Sequence, residues 1–380
     1  MGNSTPKPFL GLTRKILSLL VRLYLLCLTP LAFFQRSLIY HPSRCKPLIA
    51  SEYAFPQAVV DVTVTASDGL ELHGWLALSG TSHQSPVTDI NQSLGSTLPV
   101  VLYFSGNAGN RSMRSHPMSI LAGMHAHVLL VDYRGYGENP GRPGEREFAR
   151  DARAVWNYAT RELKISPKRI VIYGESLGGG VATRLASELC LEGIEPGSLI
   201  VQSTFSSLVA VGEAHFPIVP VSLLLVERYP SDDRIPLVTC PILQIHGARD
   251  SIVPFEIGQR VFDAAPAKSS SGQLKRQFVV PRADHNDIFD SNADRKPLFD
   301  ELRLFLNGVH DRAKDSAEIP VSKSNQLPLT TKEDQGVPVD WTIIISLLLV
   351  AIALVIWRAE RVRTGKLKRG GQNDPSTTSP

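Results

Sequence analysis

In Gly174-Glu175-Ser176-Leu177-Gly178 a serine sits midway between two glycines, directly after the apolar run Arg169 to Tyr173 and before a stretch suited to a helix. A serine hydroxyl attacks a carbonyl only when a base removes its proton. A tight strand-to-helix turn would expose the oxygen, flanking glycines would relieve crowding, and the helix N-terminus would favour developing negative charge. By composition this spacing of two glycines and a serine should arise only ~0.1 times in a chain of this length.

A base and an orienting acid are expected downstream, in the order serine, acid, histidine. Asp250 lies in His246-Gly247-Ala248-Arg249-Asp250, just past the apolar run Pro241 to His246. His285 lies in Ala283-Asp284-His285-Asn286-Asp287, just past a run ending at Val280. Among the ten histidines, His246 is the rival base, but a residue closing a buried strand is more often a satisfied core histidine. Asp284 and Asp287 read as solvated loop acids.

Phe104-Ser105-Gly106-Asn107-Ala108-Gly109-Asn110 follows another apolar run, where a loop can lend an amide to an oxyanion hole. The expected donors are the backbone N–H groups of Asn107 and Leu177, with a plain glycine-rich turn as the alternative. Asp132-Tyr133-Arg134-Gly135-Tyr136-Gly137-Glu138 closes a further strand and is expected to pack under the nucleophile turn. Neither this motif nor the glycines after Ser176 form a phosphate loop, which needs a lysine. His125-Ala126-His127 would put two imidazoles on one face at a strand start, with no third ligand near and no H-E-x-x-H, so no metal is expected.

These residues need a scaffold of alternating strands and helices. Val60 to Thr65 and Leu70 to Leu78 alternate around Ser67-Asp68-Gly69, a hairpin signal. Strand-length runs then follow at 100–104, 127–132, 169–173, 199–202, 241–246 and 277–280, separated by helix-length amphipathic segments. Continuous runs such as Ile170-Val171-Ile172 suit strands covered on both faces, so the expected fold is α/β with a doubly wound, mostly parallel sheet. The interval 204–240 is a short cap carrying Phe205, Leu208, Val209, Phe216, Ile218 and Val219, able to line an acyl tunnel or simply to cover the sheet.

Of 380 residues, 43% are hydrophobic and 20% charged, a globular balance, and four cysteines cannot make a disulfide framework. The net charge of +4 is unevenly spread: residues 1–46 carry +7, residues 358–380 carry +4, and the body between them −7. An acidic body argues against nucleic acid as a partner, and basic ends point to anionic membrane lipids. Residues 1–46 read as a basic segment with a signal anchor over about 16–34, with an interfacial amphipathic helix as the alternative because of Arg22. Residues 47–307 form the catalytic body and 308–340 a polar tether. Residues 341–357, bounded by Trp341 and Trp357 and uncharged, would span ~25 Å as a transmembrane helix, followed by a basic tail at 358–380. Positive flanks put both ends in the cytoplasm and the body on the exoplasmic side, where Asn91-Gln92-Ser93 and Asn110-Arg111-Ser112 are glycosylation sequons. Pro6 breaks the myristoylation pattern that Met1-Gly2 begins, so that lipid is not expected.

Taken together, F-S-G-N-A-G-N, D-Y-R-G-Y-G, G-E-S-L-G-G-G and the D-H-N-D segment resemble the α/β-hydrolase superfamily, in particular its membrane-anchored abhydrolases with a minimal cap, over about Val59 to Leu306. That group includes lysophospholipid lipases and protein-depalmitoylating thioesterases. Ser105 departs from the many relatives that carry histidine before Gly-Asn. The resemblance implies an eight-stranded sheet, no metal and no cofactor. The expectation is a membrane-anchored serine hydrolase of esterase, lipase or thioesterase type, acting on lipid-like or acylated substrates through Ser176, Asp250 and His285. A serine peptidase of the same fold and a catalytically silent membrane scaffold are the alternatives; the first would need a larger domain to select substrates.

Overall fold

The computed structural model describes residues 9–318, apart from 85, 86, 88, 96 and 291–293. The expected tether beyond Glu318, the span at 341–357 and the basic tail lie outside the described residues. The described residues begin with a 31-residue helix, α1 (Phe9–Ile39), which contains Pro30. Strands β1 (Ala58–Thr65) and β2 (Glu71–Leu78) make the expected hairpin, closed where the Ala66 amide donates to Leu70 O at 2.8 Å and Gly69 takes φ of 79°.

From there strands and helices alternate. They run β3 (Val100–Phe104), α2 (Ser115–Ala122), β4 (His127–Val131), α3 (Glu145–Asn157), β5 (Ile170–Glu175), α4 (Leu177–Leu191) and β6 (Ser198–Gln202). The cap follows, with α5 (Leu208–His215) and a short turn of helix at Val221–Leu224. Then come β7 (Ile242–Gly247), α6 (Phe255–Ala264), β8 (Arg276–Val280) and α7 (Arg295–Glu318). Among the described residues the strands form one eight-stranded sheet in the order β8-β7-β6-β5-β3-β4-β2-β1. The pairs from β8 through β4 are parallel, while β1–β2 and β2–β4 are antiparallel.

Period-two alternation divides the core between the two faces. Leu102, Phe104, Ile172 and Val201 face a layer containing Trp156 of α3 and Val181 of α4. Val101, Tyr103, Val171 and Ile200 face Leu121 of α2 and Leu302 of α7. The order reverses between β5 and β3, the switch point at which a crevice opens beyond the carboxyl ends of the strands.

Two expected boundaries shift. Residues 308–318 are the last turns of α7 rather than tether, because the stripe Leu298, Leu302, Leu306, Val309 and Ala313 keeps helical spacing and is buried against the sheet. At the other end, the apolar helix runs to Ile39 instead of stopping at Phe34. The boundary at residue 46 also falls within packed structure: His41 and Pro42 pair in parallel with Ala108 and Gly109, and Arg44 bridges to Gly137.

Candidate active site

Ser176 sits between β5 and α4 with φ 53° and ψ −117°, a left-handed conformation that costs energy in a non-glycine residue. Its amide donates to Gln202 O at 2.8 Å, and its carbonyl accepts from the Gly179 amide at 2.9 Å and the Thr204 hydroxyl at 3.0 Å. The two motif glycines are steric necessities. A Cβ on Gly174 would lie 2.3 Å from Gly178 O, and one on Gly178 would lie 2.0 Å from Phe104 O.

The turn holds Ser176 Oγ 2.9 Å from His285 Nε2, and His285 Nδ1 lies 2.8 Å from Asp250 Oδ2. A carboxylate only accepts, so Nδ1 carries the imidazole proton and donates it, leaving Nε2 to accept from the serine hydroxyl. Asp250 sits past β7 and His285 past β8, the strand-end positions expected for both. Burial resists ionisation of Asp250, but hydrogen bonds from His246 and His285 and the amide of Val253 at 2.7 Å outweigh it, and the carboxyl lies well below the usual range. His246 is fully buried, with Nε2 2.9 Å from Val253 O and 3.3 Å from Asp250 Oδ2. It is therefore a core residue that also touches the acid, at the same carboxylate oxygen that His285 Nδ1 meets.

The 105–110 loop lies beside this chain, with Ser176 Cβ 3.5 Å from where a Cβ on Gly106 would lie. Asn107 O accepts from the His41 amide at 2.9 Å and the Tyr136 hydroxyl at 2.6 Å, while Asn107 Nδ2 donates to Ile39 O at 2.7 Å. The loop's carbonyl and side chain are thus pinned, and neither the Asn107 nor the Leu177 amide has a protein acceptor among the described residues. Both residues line the same cavity as Ser176.

Asp132 to Glu138 braces this loop rather than the nucleophile turn. Tyr133 donates to Ser105 O at 3.1 Å, and its ring stacks on Phe148 at 4.0 Å. Arg111, buried, joins Asp132 at 2.7 Å and also pairs with Glu138. Beneath Ser176, Glu175 takes both arms of Arg114 at 2.8 Å and the Tyr103 hydroxyl at 2.6 Å. Nothing in the spacing of Tyr103, Arg114 and Glu175 announced that they would meet.

Above the serine lies a cavity of about 500 Å3. Phe205, Leu208, Val211, Phe216 and Leu225 of the cap line one side, and Leu31, Gln35, Leu38 and Ile39 of α1 line another. The cap's apolar set thus divides: part lines the cavity, while Ile218 and Leu223 face outward. That a helix read as an anchor would wall the site was not visible in the sequence. Glu227 holds it in place, accepting from Arg36 at 2.7 Å and Tyr40 at 2.6 Å.

His125 and His127 do not share a strand face. His125 is exposed in a left-handed turn, whereas His127 starts β4, is buried and lies 3.2 Å from the Ser79 amide through Nδ1. Burial pushes the His127 imidazole down to about 4, so it is neutral. Among the described residues no cluster of three His, Cys, Asp or Glu side chains could hold a metal ion.

The α/β-hydrolase-fold family model matches residues 99–213. An uncharacterized protein of Mycobacterium tuberculosis is 40% identical over 272 residues, a match covering 72% of this chain and 87% of that one. Lysophosphatidylserine lipase ABHD12 of Danio rerio is 35% identical over 207 residues, covering 50% of this chain and 53% of its own. The chain thus spans about half the length of that relative. An esterase of Pyrococcus furiosus superposes with a TM-score of 0.51 at 20% identity, covering 71% of this chain and 97% of that one, a likeness of fold.

Proposed function

The chain belongs to the α/β-hydrolase family, and we propose on that premise that it is a membrane-associated serine hydrolase that cleaves carboxylic esters of lipid-like substrates through an acyl-enzyme on Ser176. The observation that carries this reading is the unbroken Ser176–His285–Asp250 chain at the floor of an apolar cavity large enough for an acyl chain.

His285 Nε2 takes the Ser176 proton as Oγ attacks the carbonyl, and ionised Asp250 stabilises the imidazolium. The amides of Asn107 and Leu177 receive the oxyanion, with the N-terminus of α4 adding its dipole. His285 then returns the proton to the leaving alcohol. Water repeats the sequence on the acyl-enzyme and releases the acid. A thioester would follow the same steps with a thiol leaving, so acylated proteins remain within the proposed substrate class. The lysophosphatidylserine lipases among the relatives support an acyl lipid. The membrane association is supported by Lys15–Ile39, a helix long and apolar enough to cross a bilayer and mostly exposed.

The test is fluorophosphonate labelling of the full chain in membranes, compared with Ser176→Ala, followed by hydrolysis of esters of increasing acyl length and of a peptide amide. Wild-type labelling that is lost in the variant, with preference for long acyl esters, is the expected result. A folded wild type that resists the probe would favour the silent scaffold, and faster cleavage of the amide would favour a peptidase.

A further inference from the structure

After α5 the chain reads Phe216-Pro217-Ile218-Val219-Pro220-Val221-Ser222-Leu223-Leu224-Leu225-Val226, eleven residues without a charge and with Ser222 as the one polar side chain. Such a segment would ordinarily close over a core. Here Phe216 is 60% exposed, Ile218 80% and Leu223 79%. The segment runs alongside α1. Tyr24 donates its hydroxyl to Ile218 O, Gln35 Nε2 donates to Leu224 O at 3.3 Å, and Gln35 Oε1 accepts from the Val226 amide at 2.7 Å. Tyr24 and Gln35 are eleven residues apart on a continuous helix, a rise of ~16 Å. The cap therefore climbs α1 by about half the ~30 Å hydrocarbon thickness of a bilayer.

On α1, Leu20, Leu23, Phe33 and Phe34 are also exposed, so helix and cap both present apolar side chains outward. The charge of this end suits an anionic leaflet, since residues 1–46 hold seven basic side chains and no acid. The two elements that make this surface are also the two walls of the cavity: Leu31 and Leu38 face it from α1, and Leu224 and Leu225 from the cap.

We propose that Phe216–Val226 is a second membrane-inserted element lying beside α1, and that the acyl chain of a bilayer lipid enters the cavity sideways, between α1 and the cap, without crossing water. The insertion stands on the exposed surface alone; the fate of the entering lipid rests on the hydrolase reading. Ile218 and Leu223 do not line the cavity, so they report on the surface separately from the site.

The test uses the full chain reconstituted in phosphatidylcholine vesicles containing phosphatidylglycerol. A photoreactive benzoylphenylalanine is incorporated in place of Ile218, of Leu223, or of Leu274, which is exposed at the opposite end of the sheet before β8. Phospholipid adducts at positions 218 and 223 but not 274 are expected. Adducts to a second copy of the chain at 218 and 223, or no lipid adduct there while a probe at Leu20 gives one, would overturn the insertion. In parallel, Ile218→Glu combined with Leu223→Glu should slow hydrolysis of a vesicle-embedded long-chain ester by about tenfold or more. Fluorophosphonate labelling of Ser176 should keep its wild-type rate in that variant. Unchanged vesicle hydrolysis would overturn sideways entry. Lipid adducts at 218 and 223 in a wild type that the fluorophosphonate does not label would instead sink the hydrolase reading and leave the insertion standing.

Discussion

Asp250 Oδ2 accepts from His285 and lies 3.3 Å from His246 Nε2, while Oδ1 accepts from the amides of Ile252 and Val253. Exchanging the acid for an amide lets the imidazole settle with its proton on Nε2, where it cannot accept from the serine. Asp250→Asn should therefore lower kcat on an acyl ester by about 10³- to 10⁴-fold, and Ser176→Ala by at least ~10³-fold, read with a chromogenic ester. The depressed Asp250 carboxyl has a thermodynamic consequence of definite sign. Its contribution to stability is fully present above the unfolded carboxylate value of about 4 and is lost as pH falls from there toward the folded value. The wild-type Tm should accordingly fall more steeply than that of Asp250→Asn below about pH 4, which thermal melts in a pH series would show; parallel curves would refute it. That Ser176, Asp250 and His285 would meet was legible, because strand-end position and chain order constrain them. The second contact of His246 with Asp250 was not, since it depends on the turn at 250–253 carrying the carboxylate back under the end of β7.

Helix α1 and the cap are fastened at Glu227, a buried carboxylate that accepts from Arg36 and Tyr40 and from the first amide of α3. Burial holds the Tyr40 phenol well above its ordinary value, so it stays a proton donor to that carboxylate. Glu227→Ala leaves the first amide of α3 without its acceptor and the Tyr40 hydroxyl with Tyr229 as its remaining partner, which should cost about 1–3 kcal/mol and lower Tm, measurable by calorimetry in detergent. Loss of Tm with labelling of Ser176 intact would separate fastening from catalysis. Gly178→Ala tests a different element: a Cβ there would meet the Phe104 carbonyl at 2.0 Å, so the close approach of α4 to β3 would have to open. That variant should be destabilised and should label slowly. The order of strands and helices was readable from apolar runs and periodicity. Less readable were the end of α7, whose apolar stripe continues beneath a polar surface composition, and the docking of α1, whose wholly apolar face looks the same whether it meets lipid, a cap or both.

For the molecule as a whole, orientation across a membrane remains an expectation carried by charge, and one residue makes it measurable. Asn110 is buried, with Nδ2 donating to Ser43 O at 3.0 Å and Oδ1 accepting from the Ser112 amide and hydroxyl, so a glycan there would break the segment that follows α1. Asn91 is exposed. Expressed in a eukaryotic secretory pathway, the chain should gain a glycan that Asn91→Gln removes and Asn110→Gln does not, read by gel mobility after deglycosylation. An absence of any glycan would place the body on the cytosolic side. The two sequons look alike in the sequence, because what separates them is the packing of residues 43–45 against the 105–110 loop. That packing bears on how inhibitors should be sought. Asn107, the residue that presents one proposed oxyanion amide, is tied through its side chain to Ile39, the last residue of α1. Trimming the chain before residue 40 to make it easier to purify would remove both a wall of the cavity above Ser176 and the tether of that loop. Compounds selected against the trimmed protein would be fitted to a mouth wider, wetter and less ordered than the one the intact enzyme presents.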